Sequence, residues 1–349
     1  MKRKAADYLI YDEATGLYRE DPEQAVRDDV ERHHWRAVGR TVLKDWRLYA
    51  MLVPMLLVFL FWRYFPMYEL LGCFKVGDDV KAVSDQFFLG FSNFRSLLVG
   101  SNAPDFWRAL RNTFLLSFYG LYFGFPVPII LALFFNEIRS NIARSVYQVL
   151  TYLPKFISTV VMTSLITLLI KQSSIISDMG IISKFLVSIG AISEEVGRAG
   201  MLNNPLFFRA IYQLSGIWEG AGYGSIVYFA AIIAISPTSY EAAQIDGANK
   251  WAQMRYVVLP SILSTIVIML ITRIGALLNI GYEKVILLYN VNTYVTADVV
   301  STFSYRLAMA GNAAKGLASA AEMMNNVIGM LLVIGANTIS RKASDVSLY

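Results

Sequence analysis

Long apolar runs separated by short polar segments set the pattern of this chain. A membrane helix needs about 20 mostly apolar residues. Six runs meet that length: residues 48–67, 113–135, 146–170, 211–235, 260–280 and 317–339. Lipid cannot satisfy an open sheet edge, so all six are expected to be helices. No segment shows the alternation of an outer-membrane barrel strand. Pro126 and Pro128 are expected to kink the second run, and Lys155 beside Pro154 marks an expected break in the third. Residues 181–192 are apolar but short, and read as an interfacial or re-entrant helix rather than a seventh span. The expected fold class is therefore an all-α membrane protein with three parts. These are a polar N-terminal extension (1–47), a six-helix transmembrane domain (48–339) and a polar tail (340–349). Within the extension, Pro22 suits a first helical turn and Val26, Val30, Ala37 and Val38 recur at roughly helical spacing, so 21–47 is expected to form a surface helix.

An even number of spans puts both termini on one side. With the N-terminus cytoplasmic, segments 1–47, 136–145, 236–259 and 340–349 carry 16 Lys+Arg in 91 residues. The other polar segments carry 12 in 121. The bias follows the positive-inside rule, and ten of the basic residues lie in the first 47 positions. Those 47 residues contain no apolar core followed by a small-residue cleavage site, so the first span is expected to act as an uncleaved insertion signal.

Composition agrees with lipid as solvent. The chain has 349 residues, 56% hydrophobic and 16% charged, against about 45–50% and about 25% for soluble domains. The net charge of +5 is not gathered on one stripe, which argues against nucleic acid. A single cysteine, Cys73, excludes an intramolecular disulfide. With only His33 and His34 as histidines, no metal ligand set stands out. The stretch Gly311–Gly316 has two glycines at Walker A spacing, but Leu317 and Ala318 stand where phosphate and magnesium would need Lys and Ser/Thr. No cofactor is expected on this chain. A membrane enzyme would need His, Asp or Cys clustered in the spans, and the spans have none.

Polar residues inside spans are expensive and point to function or to packing. Thr265, Thr272, Gly275, Asn279 and Glu283 form a stripe along the fifth run. Ser319, Glu322, Asn326 and Gly329, with Asn325 alongside, do the same on the sixth. The fourth opens with Trp218, Glu219 and Tyr223 among Gly216, Gly220, Gly222 and Gly224. Carboxylates, amides and aromatic faces are what sugar hydroxyls and sugar rings engage. A translocation path over spans four to six is expected, with Trp218, Glu219, Tyr223, Asn279, Glu283, Glu322, Asn325 and Asn326 as its residues. Close packing is the competing account of each stripe, and the favoured one for the glycine run. Arg63 and Arg273 are expected to pair with a carboxylate or to line water.

One polar segment between spans four and five, Tyr240 to Pro260, reads YEAAQIDGANKWAQMRYVVLP. Ser236 and Ser239 are its candidate helix caps. Gly247 interrupts an otherwise helical stretch at a cost near 1 kcal/mol relative to Ala. It is expected to mark a bend between two short helices or a close approach to a partner. Glu241-Ala242-Ala243, then Gly247, then Leu259-Pro260 resembles the EAA loop of permease subunits in binding-protein-dependent ABC importers. FWRYFPMYELLGCFK, YLPKFIS and IWEGAGYGSIVYFAAI extend the resemblance over about residues 45 to 340, to the aldouronate and polysaccharide branch of the sugar-importer permeases. Met254 and Val257 depart mildly from the loop pattern.

The resemblance implies a type I ABC importer permease with six transmembrane helices and a cytoplasmic coupling helix in the 236–260 loop. Glu241, Ala242, Ala243, Asp246 and Gly247 would make the contact that couples it to an ATPase. It implies a second homologous permease, two ATPase subunits holding ATP and Mg, an extracellular lipid-anchored sugar-binding protein and an oligosaccharide substrate. The setting would be the plasma membrane of a Gram-positive bacterium. An ion-coupled secondary transporter and a non-transporting scaffold are the alternatives. The first would show internal repeats, and none is evident.

Overall fold

The computed structural model describes residues 9–12, 17–20, 44–76, 87–170 and 179–343. Most of the helix expected over 21–47 lies outside the described residues, as does most of the 340–349 tail. The chain divides into two units, residues 1–69 and residues 70–349. The first unit holds a two-stranded antiparallel hairpin, β1 (Leu9–Asp12) and β2 (Leu17–Glu20), with Tyr11 opposite Tyr18. The second unit is built from helices.

Three helical runs are long and apolar enough to cross a membrane unbroken: Trp46–Phe74, Ala103–Glu137 and Ala314–Thr338. Three more arise if bent pairs are counted as single spans, which gives the six expected. Asn141–Phe156 turns by 102° into Thr159–Ile170, Pro205–Ile233 by 71° into Pro237–Ile245, and Lys250–Ser261 by 60° into Leu263–Gly275. The third run is thus broken at Leu153–Phe156, where Pro154 and Lys155 stand. Ile181–Ser188 is an eight-residue helix, too short to span, whose Ser183 hydroxyl donates to the Ile170 carbonyl at 2.7 Å.

Prolines explain the irregular turns. Widened π turns occupy Leu60–Tyr64, Gly120–Gly124 and Met254–Val258, each ending two residues before a proline: Pro66, Pro126 and Pro260. A proline has no N–H and its ring crowds the carbonyl four residues back. A wider turn accommodates both without ending the helix.

Two expectations need correction. The fifth run does not stay helical to residue 280. Its helix ends at Gly275, and Glu283 belongs to the separate helix Tyr282–Leu288. The stripe running from Thr265 to Glu283 is therefore not one helix face. Helical spacing in the sequence runs across residues 276–281, but the backbone turns there: Leu277 N–H donates to Ile274 O and Asn279 N–H to Ala276 O. Ser236 is the N-cap of Pro237–Ile245, yet its hydroxyl bonds Thr238 rather than a helix N–H, and Ser239 lies within the helix.

Buried apolar clusters sit at both ends of the 29-residue helix Pro205–Ile233. Near its start, Phe208 and Ile211 pack with Leu116, Met162, Ile166, Val285 and Val299. Near its end, Tyr228 and Ile232 pack with Ala132, Val258 and Ile262. At 1.5 Å per residue these clusters lie about 30 Å apart. The stretch between them is free to line a cavity.

Candidate functional site

A cavity of about 550 Å³ opens beside the middle of the Pro205–Ile233 helix. Tyr212, Gly216, Gly220, Gly224 and Tyr228, four residues apart, all line it. Three glycines keep this face of the helix low, and a tyrosine stands at each end. Gly222, on another face, does different work. A Cβ there would collide with the Thr151 carbonyl, so this glycine lets the helix approach Asn141–Tyr152. The glycine run therefore divides: Gly222 packs, and Gly216, Gly220 and Gly224 face the cavity.

Charge in the cavity comes from four residues. Glu219 lies between two lysines, Oε1 at 3.4 Å from Lys155 Nζ and Oε2 at 3.2 Å from Lys284 Nζ. Lys155 reaches it from the break in the third span. Lys284 stands on the first turn of Tyr282–Leu288, 5.4 Å from the Tyr212 ring centroid. Burial holds the Lys284 ammonium below its ordinary value, against the pull of Glu219. Arg273 lines the same cavity from the fifth span, and no carboxylate among the described residues pairs with it. Three cations thus face one carboxylate. Tyr223 completes the wall, its ring edge-on to Phe156 at 6.1 Å. A second cavity of about 190 Å³ shares Gly120, Tyr212, Gln213 and Arg273 and adds Asn279.

Of the path residues expected from the sequence, Glu219 and Tyr223 line the main cavity and Asn279 the smaller one. Trp218, Glu283, Glu322, Asn325 and Asn326 are not among the lining residues. Trp218, Glu283 and Asn326 are exposed. Asn325 is buried and donates to the Leu278 carbonyl at 3.0 Å, tying the sixth span to the end of the fifth. Arg273, Tyr212 and Gln213 line both cavities and Lys284 the larger one; Tyr212, Gln213 and Lys284 are not among the residues expected from the sequence. The four-residue recurrence of Tyr212, Gly216, Gly220, Gly224 and Tyr228 was the available signal for the tyrosines. Lys284 gave none, because it lies in a polar segment beyond the span.

The 236–260 loop forms two short helices. Pro237–Ile245 ends at Gly247, whose φ of +78° favours glycine. Gly247 N–H donates to Gln244 O at 3.0 Å and Ala248 N–H to Ala243 O at 2.8 Å, the two bonds of a Schellman cap. Asn249 then caps Lys250–Gln253 by accepting from Ala252 N–H at 2.8 Å. Lys250 Nζ lies 3.4 Å from Glu137, anchoring the loop to the end of Pro126–Glu137. Glu241, Ala242, Asp246 and Gly247 are exposed and Ala243 half-buried. Beside them Ile245 is 87% exposed and Trp251 69%, so the loop presents an apolar tip on a polar helix.

Comparison with known proteins places this arrangement. Residues 124–334 match the family "Binding-protein-dependent transport system inner membrane component". The chain is 33% identical to protein LplB of Bacillus subtilis over 88% of its own length and 92% of that protein's. It is also 33% identical to the polygalacturonan/rhamnogalacturonan transport system permease YteP of the same organism, covering 86% and 90%. Among solved structures, it superposes with a TM-score of 0.75 and 40% identity on a chain of a bacterial ABC transporter involved in the import of the acidic polysaccharide alginate. That match covers 88% of this chain and 99% of the other. A structure of a bacterial alginate ABC transporter in complex with an alginate pentasaccharide-bound periplasmic protein matches equally well, at 39% identity. Spans, cavity and loop thus belong to a transport component rather than an enzyme, and the chain is a member of the inner-membrane permease family of binding-protein-dependent ABC transport systems.

Proposed function

We propose that this chain forms one half of the translocation path of an ATP-driven importer of acidic oligosaccharides. The observation that carries the reading is the cavity midway along Pro205–Ile233, where Lys155, Lys284 and Arg273 face the single carboxylate of Glu219. Its excess positive charge suits a chain of uronate rings. Tyr223, 49% exposed, offers an aromatic ring to the apolar sides of the sugars. The names of the polygalacturonan and alginate systems agree in substrate chemistry.

The proposed assembly contains a second homologous permease, two ATPase subunits holding ATP and Mg, and an extracellular lipid-anchored binding protein that delivers the oligosaccharide. Both termini and the 236–260 loop face the cytoplasm, in a plasma membrane of Gram-positive type. ATP binding draws the ATPases together and moves the loop. The 71° and 60° bends on either side of it pass that motion to spans four and five, opening the cavity outward. Hydrolysis resets it. Glu241, Ala242, Ala243, Asp246 and Gly247 make the coupling contact, with Ile245 as its apolar tip.

The test is uptake by proteoliposomes containing the full importer. ATP-dependent accumulation of trigalacturonate in preference to maltotriose is expected, and the reverse preference would overturn the acidic-substrate reading. In the same assay Gly247→Trp is expected to uncouple. A side chain in the left-handed region costs about 1–2 kcal/mol and displaces the loop, so ATP hydrolysis continues while uptake falls to background. Normal uptake by this variant would remove the loop from the coupling role.

A further inference from the structure

We propose that Glu219 is an internal stand-in for a substrate carboxylate: it holds Lys155 and Lys284 until an incoming uronate carboxylate displaces it. The inference rests on the acidic-substrate reading and adds the residue that sets affinity and releases the path.

The geometry is that of an exchangeable ligand. Each Glu219 oxygen takes one ammonium, at 3.4 and 3.2 Å. Both distances exceed the roughly 2.7–2.9 Å of a tight charge-assisted hydrogen bond. The groups differ in access: side-chain exposure is 13% for Lys284, 19% for Glu219 and 45% for Lys155, so one flank of the bridge is open. Arg273 lines the same cavity, and among the described residues no carboxylate pairs with it. It can receive the first acidic group of an oligosaccharide while Glu219 still holds the lysines. A second acidic group then reaches cations that already have a partner. Trading one carboxylate for another keeps both ammoniums paired throughout, whereas stripping a partly buried ammonium of its partner is heavily penalised. A neutral sugar offers no such trade.

The exchange has a mechanical consequence. Lys155 belongs to the 102° break in the third span, Glu219 to the fourth span and Lys284 to Tyr282–Leu288. The Glu219 carboxylate fastens these three elements together. Once displaced, it frees the broken span to shift against the fourth, so occupancy by an acidic chain is linked to the rearrangement that transport requires.

Binding of fluorescently labelled trigalacturonate to the assembled permease–ATPase complex in lipid nanodiscs tests this, with labelled maltotriose alongside. Glu219→Gln keeps size and an acceptor but removes the competing charge. Its trigalacturonate Kd is expected to fall about tenfold, the scale of one desolvated charge pair, with no change for maltotriose. Glu219→Asp shortens the reach to the lysines and should give a smaller gain. Lys284→Gln should weaken trigalacturonate binding. If wild type prefers trigalacturonate but neither Glu219 variant binds it more tightly, the exchange is wrong and the acidic-substrate reading stands. A wild-type preference for maltotriose overturns both.

Discussion

Gly220→Trp is expected to reduce uptake to background while leaving the assembled importer intact, whereas Gly220→Ala should transport normally. A Cβ at residue 220 meets nothing within 4 Å, so alanine is accommodated. Gly220 also lines the main cavity between Gly216 and Gly224. An indole there projects roughly 200 Å² of new surface into the space the sugar would cross. Co-purification of the partner subunits reports assembly, and proteoliposome uptake reports passage. The control lies two residues away. Gly222→Ala adds only a methyl group, but places it on the Thr151 carbonyl. Helices must separate to admit it, at a cost of about 1–3 kcal/mol, read as a lower Tm of the purified complex. If Gly220→Trp transports normally, the cavity is not the path. If Gly222→Ala is as stable as wild type, the close approach is not tight in solution.

Asp298→Ala is expected to cost stability more than any single change in the path. Asp298 is fully buried, and its carboxylate takes both terminal nitrogens of Arg306, at 2.6 and 2.7 Å, and the Thr302 hydroxyl at 2.8 Å. Arg306 also lies over the Tyr294 ring at 4.9 Å. The Asp298 and Val295 carbonyls accept from Asn112, whose own oxygen accepts from Arg209 at 2.9 Å. Thr113 accepts from Val300 N–H at 2.9 Å. This knot binds residues 294–306 to the beginnings of spans two and four. Removing its carboxylate leaves Arg306 unpaired, a loss of about 3 kcal/mol for a mostly buried pair. A Tm drop of several degrees is expected for Asp298→Ala, with Asp298→Asn falling between it and wild type. Equal Tm for all three would show that the knot contributes nothing to the folded complex.

Neither the cavity nor the knot was equally legible from the chain. Span positions followed from apolar run length, because lipid accepts little else. The break at Lys155 follows from Pro154, since a missing N–H and a crowded carbonyl act locally; in the second span, where Pro126 and Pro128 suggest a kink, the helix runs through from Ala103 to Glu137 with a widened turn at Gly120–Gly124. Gly247 reads as an interruption for a similar reason, and its hydrogen bonds show that it caps a helix end. Failures came where distance along the chain misled. Periodicity puts Asn279 and Glu283 on the fifth helix, but the helix stops at Gly275. Asn325, expected on the path, donates to the Leu278 carbonyl, a contact with no signature along the chain. Lys284 and Arg306 sat in polar segments with no periodic signature at all.

The sequence by itself determined the class of molecule: six apolar runs, a charge bias, a polar loop with a glycine stop, and prolines that deform the helices at fixed positions. Each is a local consequence of solvent, backbone chemistry or short-range sterics. Only the tertiary structure decided which polar residues meet. Lys155, Glu219, Arg273 and Lys284 are separated by up to 129 positions and share one cavity because three helices bend and one helix carries glycine every fourth residue. Pairing of distant charges depends on how helix faces are rotated against one another. That rotation is fixed by side-chain packing over the whole bundle, which no single segment encodes.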